Sequence, residues 1–393
     1  MQTATKWFFL LAAIALAWPV RWTSVLLPSF SPFVVIGSIL AARIATAMAL
    51  LAAPVFLLSI FIPRVFCRYA CPVGFLQELC ERIRPPLKSP TLRFPLIGRW
   101  VAFATLAGAG LGYPVLLWLD PLAIFSGFMN AWRLPLTIAS CAPAAGLIFI
   151  LIFDLVMPSV WCGRICPLGA AQDLLARPRN WKRRGREPAG GRRAFIAACA
   201  GAAGAIAIQK VQGKVPPPLR PPGAIDEIEF GGVCIRCGNC TQVCPSKIIR
   251  PDLGRHGITN LLTPVLNFDA GYCRENCHRC GEVCPSGAIS PLSQPDKNLR
   301  VIGIASVNLD TCLLANGREC TACIQWCPFK ALSIQSHDGG ITSQPVVDKT
   351  KCTGCGACEM ICPVRPQRAI RVNVPPGKTR QDILELEEEP DGV

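Results

Sequence analysis

Four cysteine runs decide most of what this chain can fold into. Cys234, Cys237, Cys240 and Cys244 are spaced C-x2-C-x2-C-x3-C, and Cys352, Cys355, Cys358 and Cys362 repeat that spacing. Cys273, Cys277, Cys280 and Cys284 lengthen the first gap by one residue, and Cys312, Cys320, Cys323 and Cys327 open it to seven. A proline follows the last cysteine of every run. In such a spacing three thiolates wrap one [4Fe–4S] cube, and the fourth, a helical turn further on, reaches the cube of a partner run. Soft thiolates suit iron, and the small residues between them let backbone amides approach the cluster sulfurs. Zinc would take pairs of C-x2-C at longer separations, without the trailing Cys-Pro. A disulfide framework belongs to small secreted domains, not to a chain of 393 residues with a long apolar half. Sixteen thiolates at four per cube therefore point to four clusters.

This is the spacing of the bacterial ferredoxins, so the expected fold of residues 224–375 is an α+β ferredoxin-like domain. Ferredoxin repeats couple in twos. Adjacent pairing (first run with second, third with fourth) competes with nested pairing (first with fourth, second with third). The unaltered spacing of the outer runs suits the nested form, but spacing alone does not decide. Neither haem nor flavin is expected. Cys273-x3-Cys277-His278 lacks the two-residue gap of a c-type haem site. All three histidines, His256, His278 and His337, lie in the second half, and His278 reads as a surface or cluster-adjacent residue rather than a ligand.

Residues before the first run have a different character. Hydrophobic residues make up 51% of the chain and charged ones only 17%, well below the roughly 25% of ordinary soluble domains. Apolar runs cover 7–20, 44–63, 100–119 and 142–160. At about 20 apolar residues per crossing, these runs predict an α-helical membrane bundle of four to five transmembrane helices over 1–190. The net charge of +15 is concentrated here: residues 1–209 hold 20 Lys/Arg against 6 Asp/Glu, whereas 210–393 hold 20 against 19. Most of the basic residues fall in 64–99 and 164–193, which reads as a cytoplasmic topology signal rather than a nucleic-acid surface. Asp154 is the one acidic residue inside an apolar run, and hence a candidate for a proton or quinone role, with a helix–helix hydrogen bond as the alternative.

A second cysteine pattern lies in this half. Cys67-Arg-Tyr-Ala-Cys71-Pro-Val-Gly is followed by Gln77-Glu78, and Cys162-Gly-Arg-Ile-Cys166-Pro-Leu-Gly by Gln172-Asp173 at the same offset. Two copies of C-x3-C-P related by duplication bring four cysteines to one face, a candidate fifth cluster. Redox-active dithiols or structural cysteines are the alternative. Cys80, Cys141 and Cys199 match no run and read as buried structural thiols, with Cys80 close enough to Cys71 to be a spare ligand.

Residues 191–223 join the halves. Arg192-Arg193-Ala-Phe-Ile opens an Ala/Gly-rich apolar stretch that reads as a twin-arginine export signal and a further, uncleaved crossing. A Pro-rich spacer follows at 215–223. Residues 376–393 form an acidic, solvated tail.

On these residues the chain resembles a fusion of two known families. Residues 1–185, through the paired C-x3-C-P, are similar to the NapH/NosR-type membrane iron–sulfur proteins. Residues 190–375, through the twin-arginine start, the segment Pro221, Pro222, Gly223, Ala224, Ile225 and the four cysteine runs with the long gap after Cys312, are similar to the NapG/MauM-type periplasmic polyferredoxins. The resemblance implies an electron-transfer protein of the bacterial inner membrane, multi-pass, with a periplasmic ferredoxin domain. Its partners would be lipid, quinol or quinone, and a periplasmic redox protein, with no nucleic acid. It would act as a component of a quinol dehydrogenase. The competing reading is a membrane-bound maturation or redox-regulatory factor for a metalloenzyme.

Overall fold

A computed structural model describes residues 2–18, 23–43, 47–83, 95–132, 141–176, 190–212, 216–337 and 342–374. The acidic tail 376–393 and the basic residues from 177 to 189 lie outside these.

The N-terminal module is a pack of short helices: α1 (Gln2–Ala17), α2 (Thr23–Ser29), α3 (Pro32–Ala42), α4 (Ala52–Phe61), α5 (Val65–Tyr69), α6 (Pro72–Ile83), α7 (Ile97–Gly110), α8 (Pro121–Ala131), α9 (Ala145–Val156) and α10 (Pro167–Leu175). A longer helix, α11 (Gly190–Gln212), follows. Among the described residues only the stretch Gly191–Gln212 is long and apolar enough to cross a bilayer, or two spans if α2 and α3, bent by 89°, count as one broken crossing. The expected bundle of four to five transmembrane helices is therefore corrected. The apolar runs are real, but glycine and proline divide them. The described part of run 44–63 is a 3-10 turn (Ala47–Leu51) and then α4, closed by Pro63. Run 100–119 stops at Gly110; Gly112 (φ +87°) and Pro114 then turn the chain into the 3-10 turn Leu117–Leu119. Run 142–160 opens with a 3-10 turn around Pro143, and its helix α9 ends at Val156, just before Pro158. Hydropathy summed over a window does not register these breaks, because proline lacks the helical N–H donor and glycine gives up helix propensity.

Helix α11 lies against α7 by close backbone approach. A Cβ on Gly201 would stand 2.1 Å from the Ala104 carbonyl oxygen, and one on Gly108 would stand 3.4 Å from that of Gly201. Small residues permit such contact where larger ones would hold the helices apart. The remaining surface of α11 is largely exposed, including Phe195 and Ile196.

The second half is two similar units in sequence order. In the first, α12 (Glu227–Val233) and α13 (Asn239–Val243) lead to β1 (Ile249–Pro251), which pairs antiparallel with β2 (Pro264–Leu266) before α14 (Arg279–Glu282). The isolated bridge Ala224↔Ile289 closes the unit. Helix α15 (Gln294–Leu299) links it to the second unit. There β3 (Ile304–Val307) precedes α16 (Ala322–Gln325), β4 (Leu332–His337), β5 (Thr342–Val347), α17 (Ala357–Ile361) and β6 (Ile370–Asn373). β4 pairs with β5, and β3 with β6, both antiparallel. In each unit an outer pairing joins the entry to the exit, and an inner pairing joins the chain between its two cysteine runs.

The Pro-rich stretch ends packed rather than solvated. Arg220 is buried, bonded by Nε and Nη2 to the Glu227 carboxylate (2.7 and 2.6 Å) and by Nη1 to Thr263 Oγ1 and the Pro264 carbonyl (2.8 Å each). Its guanidinium also lies over the Phe230 ring, 4.3 Å from the centroid. A planar five-donor group suits such a buried junction.

Candidate metal centres

The four runs share a local helical end, and in two of them left-handed residues among the first three cysteines bend the backbone around the sulfurs: Arg236 (φ +59°) and Gly238 (φ +75°) in the first run, Gly354 (φ +69°) and Gly356 (φ +82°) in the fourth. A one-turn helix then carries the third cysteine. The fourth stands at or just past the end of that turn, where the following proline cannot continue the helix.

These turns gather the sulfurs into four cages. Cys234, Cys237 and Cys240 lie within electrostatic reach of Cys284, and Cys273 and Cys280 within reach of both Cys277 and Cys244. Cys323 is grouped with Cys312, Cys320 and Cys362, and Cys355 and Cys358 with Cys352 and Cys327. The pairing is thus adjacent, with three cysteines of one run and the last of its neighbour. The two-unit strand pairing enforces it, since each unit holds two consecutive runs.

Two observations test whether these cages fit [4Fe–4S] cubes. The structure has a cavity lined by Cys234, Cys237, Cys240 and Cys284 and another lined by Cys312, Cys320, Cys323 and Cys362, each a complete ligand set. Backbone amides also point at sulfur: Ile289 N–H donates to Cys284 Sγ and Ala331 N–H to Cys327 Sγ, each at 3.3 Å. Among the described residues no group of three or more His, Cys, Asp or Glu closes on a single metal ion. The residues fit the cluster.

Burial keeps these thiols neutral as long as no cation is bound to them. Burial pushes the Cys273 and Cys323 thiols up to about 11 and Cys355 to about 12, and it raises Cys237, Cys280 and Cys358 further. Neighbouring sulfurs add to the rise at all six. Coordinating metal reverses this, since a metal-bound thiol is deprotonated outright. Near Cys273 the protein supplies its own positive charge. The buried Lys297 ammonium donates to the Arg274 and Glu275 carbonyls (2.5 and 3.0 Å) and holds the Cys273 thiol back from a larger rise.

The N-terminal cysteines form a fifth cage. Cys67 lies within electrostatic reach of Cys71, Cys162 and Cys166. The duplication shows in the backbone: Arg64 (φ +54°) and Ser159 (φ +60°) are both left-handed, each three residues before the first cysteine of its copy. The copies cross. A Cβ on Gly74 would stand 3.8 Å from Cys162 Sγ, and one on Gly169 would stand 3.9 Å from Cys67 Sγ. Gln172 Nε2 donates to Cys67 Sγ at 3.4 Å, and Gln77 is buried at the matching place of the other copy. Asp173 holds Arg64 in a bidentate pair (2.8 and 2.6 Å), and Arg64 also donates to the Cys162 carbonyl (3.3 Å). The Gln-acid repeat was visible in the sequence; that its glutamine reaches across to the other copy was not.

Other candidates fall elsewhere. Asp154 is buried, and its Oδ1 accepts the Ser159 backbone N–H at 3.0 Å. Cys80 sits near Asp154 and Glu81 rather than in the cage. Cys141 and Cys199 are exposed, against the expectation of buried thiols. His278 pairs with Gln294 (3.2 Å) and Glu282 (3.1 Å), away from ligation.

Sequence reasoning missed the element that links the modules. At the N-terminus of α8, buried Asp120 accepts the Leu122 and Ala123 amides (2.9 and 3.3 Å) and the Ser31 hydroxyl (2.5 Å), within electrostatic reach of Cys71 and Cys166. At its other end, Asn130 Nδ2 donates to the Cys237 carbonyl (2.7 Å) and Asn239 Oδ1 (2.8 Å). Eleven residues span about 16 Å at 1.5 Å per residue. One apolar core contains Cys71, Cys166, Ile235 and Cys237.

Comparison with known proteins agrees with this geometry. A 4Fe-4S binding domain family matches residues 44–90 and 142–186, which hold the fifth cage. A 4Fe-4S dicluster domain family matches 233–288 and 318–365. The methylamine utilization ferredoxin-type protein MauM of Methylophilus methylotrophus is 38% identical over 164 residues, 39% of this chain and 70% of the relative. MauM of Methylorubrum extorquens is 34% identical over 212 residues, 50% of this chain and 91% of the relative. The ferredoxin-type protein NapG of Escherichia coli K12 is 34% identical over 163 residues, 39% of this chain and 69% of the relative. No solved structure matches the chain.

Proposed function

The chain belongs to the family of the MauM and NapG ferredoxin-type proteins, and from that premise we propose that it carries electrons from quinol to a periplasmic redox protein, one at a time. The observation that carries this reading is the continuity of the five cages, with α8 joining the N-terminal cage to the first of the other four. Each cage would hold one [4Fe–4S] cluster, five in all. A bound [4Fe–4S] cluster supplies one-electron storage and release, with a potential set by hydrogen bonds, charge and burial.

The protein's own groups set those conditions. The Ile289 and Ala331 amides and Gln172 Nε2 donate to cage sulfurs, which stabilises added negative charge. Apolar packing around Cys71, Cys166 and Cys237 keeps water from the space between cages. In this reading Asp154 would take a proton from quinol as its electrons enter, a role supported by its burial near the N-terminal cage and by its Oδ2, unpartnered among the described residues.

Lipid contact would come from α11, whose exposed Phe195 and Ile196 follow Arg192 and Arg193, and from exposed apolar side chains of the short helices such as Phe8, Leu57, Phe61 and Phe149. Exposed apolar area of this kind marks an interaction surface. Residues after α11 would then lie on the periplasmic side of the inner membrane, the twin arginines having directed export of an already folded domain.

The test is anaerobic. The purified, oxidised protein is mixed with a menaquinol analogue, and its iron–sulfur EPR signals and visible bleaching are followed. Quinol is expected to reduce the protein, and Asp154→Asn to slow that reduction at least tenfold while dithionite still reduces the variant fully. No reduction by quinol, with full reduction by dithionite, overturns the quinol reading.

A further inference from the structure

Sequence order would place the four C-terminal cages as a simple series, first to fourth. Contacts between the units place them otherwise. The Cys273 N–H donates to the Cys355 carbonyl at 2.8 Å, a backbone bond between a ligand of the second-run cage and a ligand of the fourth-run cage. The surrounding packing repeats this choice. A Cβ on Gly356 would stand 2.2 Å from the Phe268 ring, and one on Gly354 would stand 2.1 Å from the Gly303 carbonyl. Arg368 donates to the Phe268 and Asp269 carbonyls (2.8 Å each), and Ile302 N–H to Thr353 O at 2.9 Å. The fourth run is thus seated between the segment that leads into the second run, through Phe268, Asp269 and Cys273, and the one that leads into β3, through Ile302 and Gly303.

At the two ends the surroundings differ. The cavity of the first-run cage is lined in part by Gly127, Asn130 and Pro143 of the N-terminal module. The cavity of the third-run cage is lined only by residues 307–370, all from the second unit. Its long gap folds out as a cap in which Asn316 Nδ2 holds the Cys312, Leu309 and Asp310 carbonyls (2.8, 3.1 and 3.1 Å), and Asn316, Gly317, Arg318 and Glu319 are exposed.

We infer that the four cages stand in the order first, second, fourth, third, named by the run that gives three of their cysteines, with the Cys273–Cys355 bond as the junction between units. The third-run cage, built on the expanded gap, is the far end of the series. This rests on the cluster reading above, but not on quinol as donor or on the side of the membrane.

Neighbouring paramagnetic cubes split and broaden each other's EPR signals, so the order can be read in the full-length, dithionite-reduced protein. Cys355→Ser removes a ligand of the fourth-run cage and is expected to leave the third-run cube isolated, with a narrow unsplit signal. Cys323→Ser removes a ligand of the third-run cage and is expected to leave no isolated cube. Each variant should lose one cube's worth of iron. The reverse pattern, an isolated signal in Cys323→Ser and none in Cys355→Ser, is what a first-to-fourth series gives and overturns the order. Should either variant lose all its iron, a cryo-EM map of the loaded wild-type chain decides. The shortest cube-to-cube separation between units is expected to join the cubes held by Cys273 and Cys355; one that joins the cubes of Cys273 and Cys320 overturns the inference. A wild-type chain that binds iron but shows another order leaves the cluster reading standing, whereas one that binds no cubes overturns both.

Discussion

Lys297 shows how much a single side chain can set in such a protein. A buried ammonium is costly unless paired, and here two backbone carbonyls and the Cys273 sulfur partner it. A reduced cube carries one more negative charge than an oxidised one, so the cation favours reduction. Lys297→Met should lower the midpoint potential of one cluster by roughly 60 mV, the one-electron equivalent of about 1.4 kcal/mol. An EPR redox titration checks this, and no shift in any cluster would show that Lys297 serves only the carbonyls of Arg274 and Glu275. Gln77 and Gln172 have the same character on the N-terminal cage: polar groups buried where an apolar residue would pack more cheaply. Gln172 has a sulfur to donate to, and that is a reason for a polar residue at this place.

Among the elements, α8 and the α7–α11 contact matter most. Helix α8 starts well because Asp120 caps it and Pro121 is preorganised for the first turn, and it ends where Asn130 fastens it to the first cysteine run. The α7–α11 contact depends on missing side chains instead. Because the Ala104 carbonyl stands where a Cβ would go, Gly201→Val must push the helices apart. Overpacking of this kind costs about 1–3 kcal/mol, so the melting temperature in detergent should fall. A variant as stable as the wild type would mean that α11 does not sit against α7 in the protein.

For the molecule as a whole, iron and stability are coupled through the cysteines. Burial raises the thiols of the iron-free fold, so that fold holds its protons to higher pH than the unfolded chain, whose thiols titrate near the ordinary value of 9.0. Stability from this source is complete below about pH 9. It is lost as pH rises through the folded values of about 11 for Cys273 and Cys323 and about 12 for Cys355. Chelator-stripped protein should therefore unfold progressively between pH 9 and 12, as followed by circular dichroism, while loaded protein, its thiolates already ionised on iron, should not lose stability through these groups. Equal pH profiles for the two forms would contradict the coupling. Metal removal should also lower stability at neutral pH, because cluster binding is in part folding free energy.

The sixteen C-terminal cysteines that gather into four cages were legible as candidates in the sequence because ligation is local: a cube needs thiolates at fixed short spacings, and spacing is what a sequence displays. The duplicated C-x3-C-P pairs were legible for the same reason. Pairing of the runs was not, since the first and fourth have identical spacings and only the β3–β6 and β4–β5 ladders group the third run with the fourth. The short helices of the N-terminal half were misread as membrane spans because mean hydropathy counts apolar residues and misses the turns at Gly112, Pro143 and Pro158. Composition and spacing by themselves thus determined what the chain can bind. Which sulfurs share a cage, and in what order the cages stand, rests on contacts such as Cys273 with Cys355, between residues 82 positions apart. Only tertiary packing decides those, because nothing in the local sequence encodes the partner.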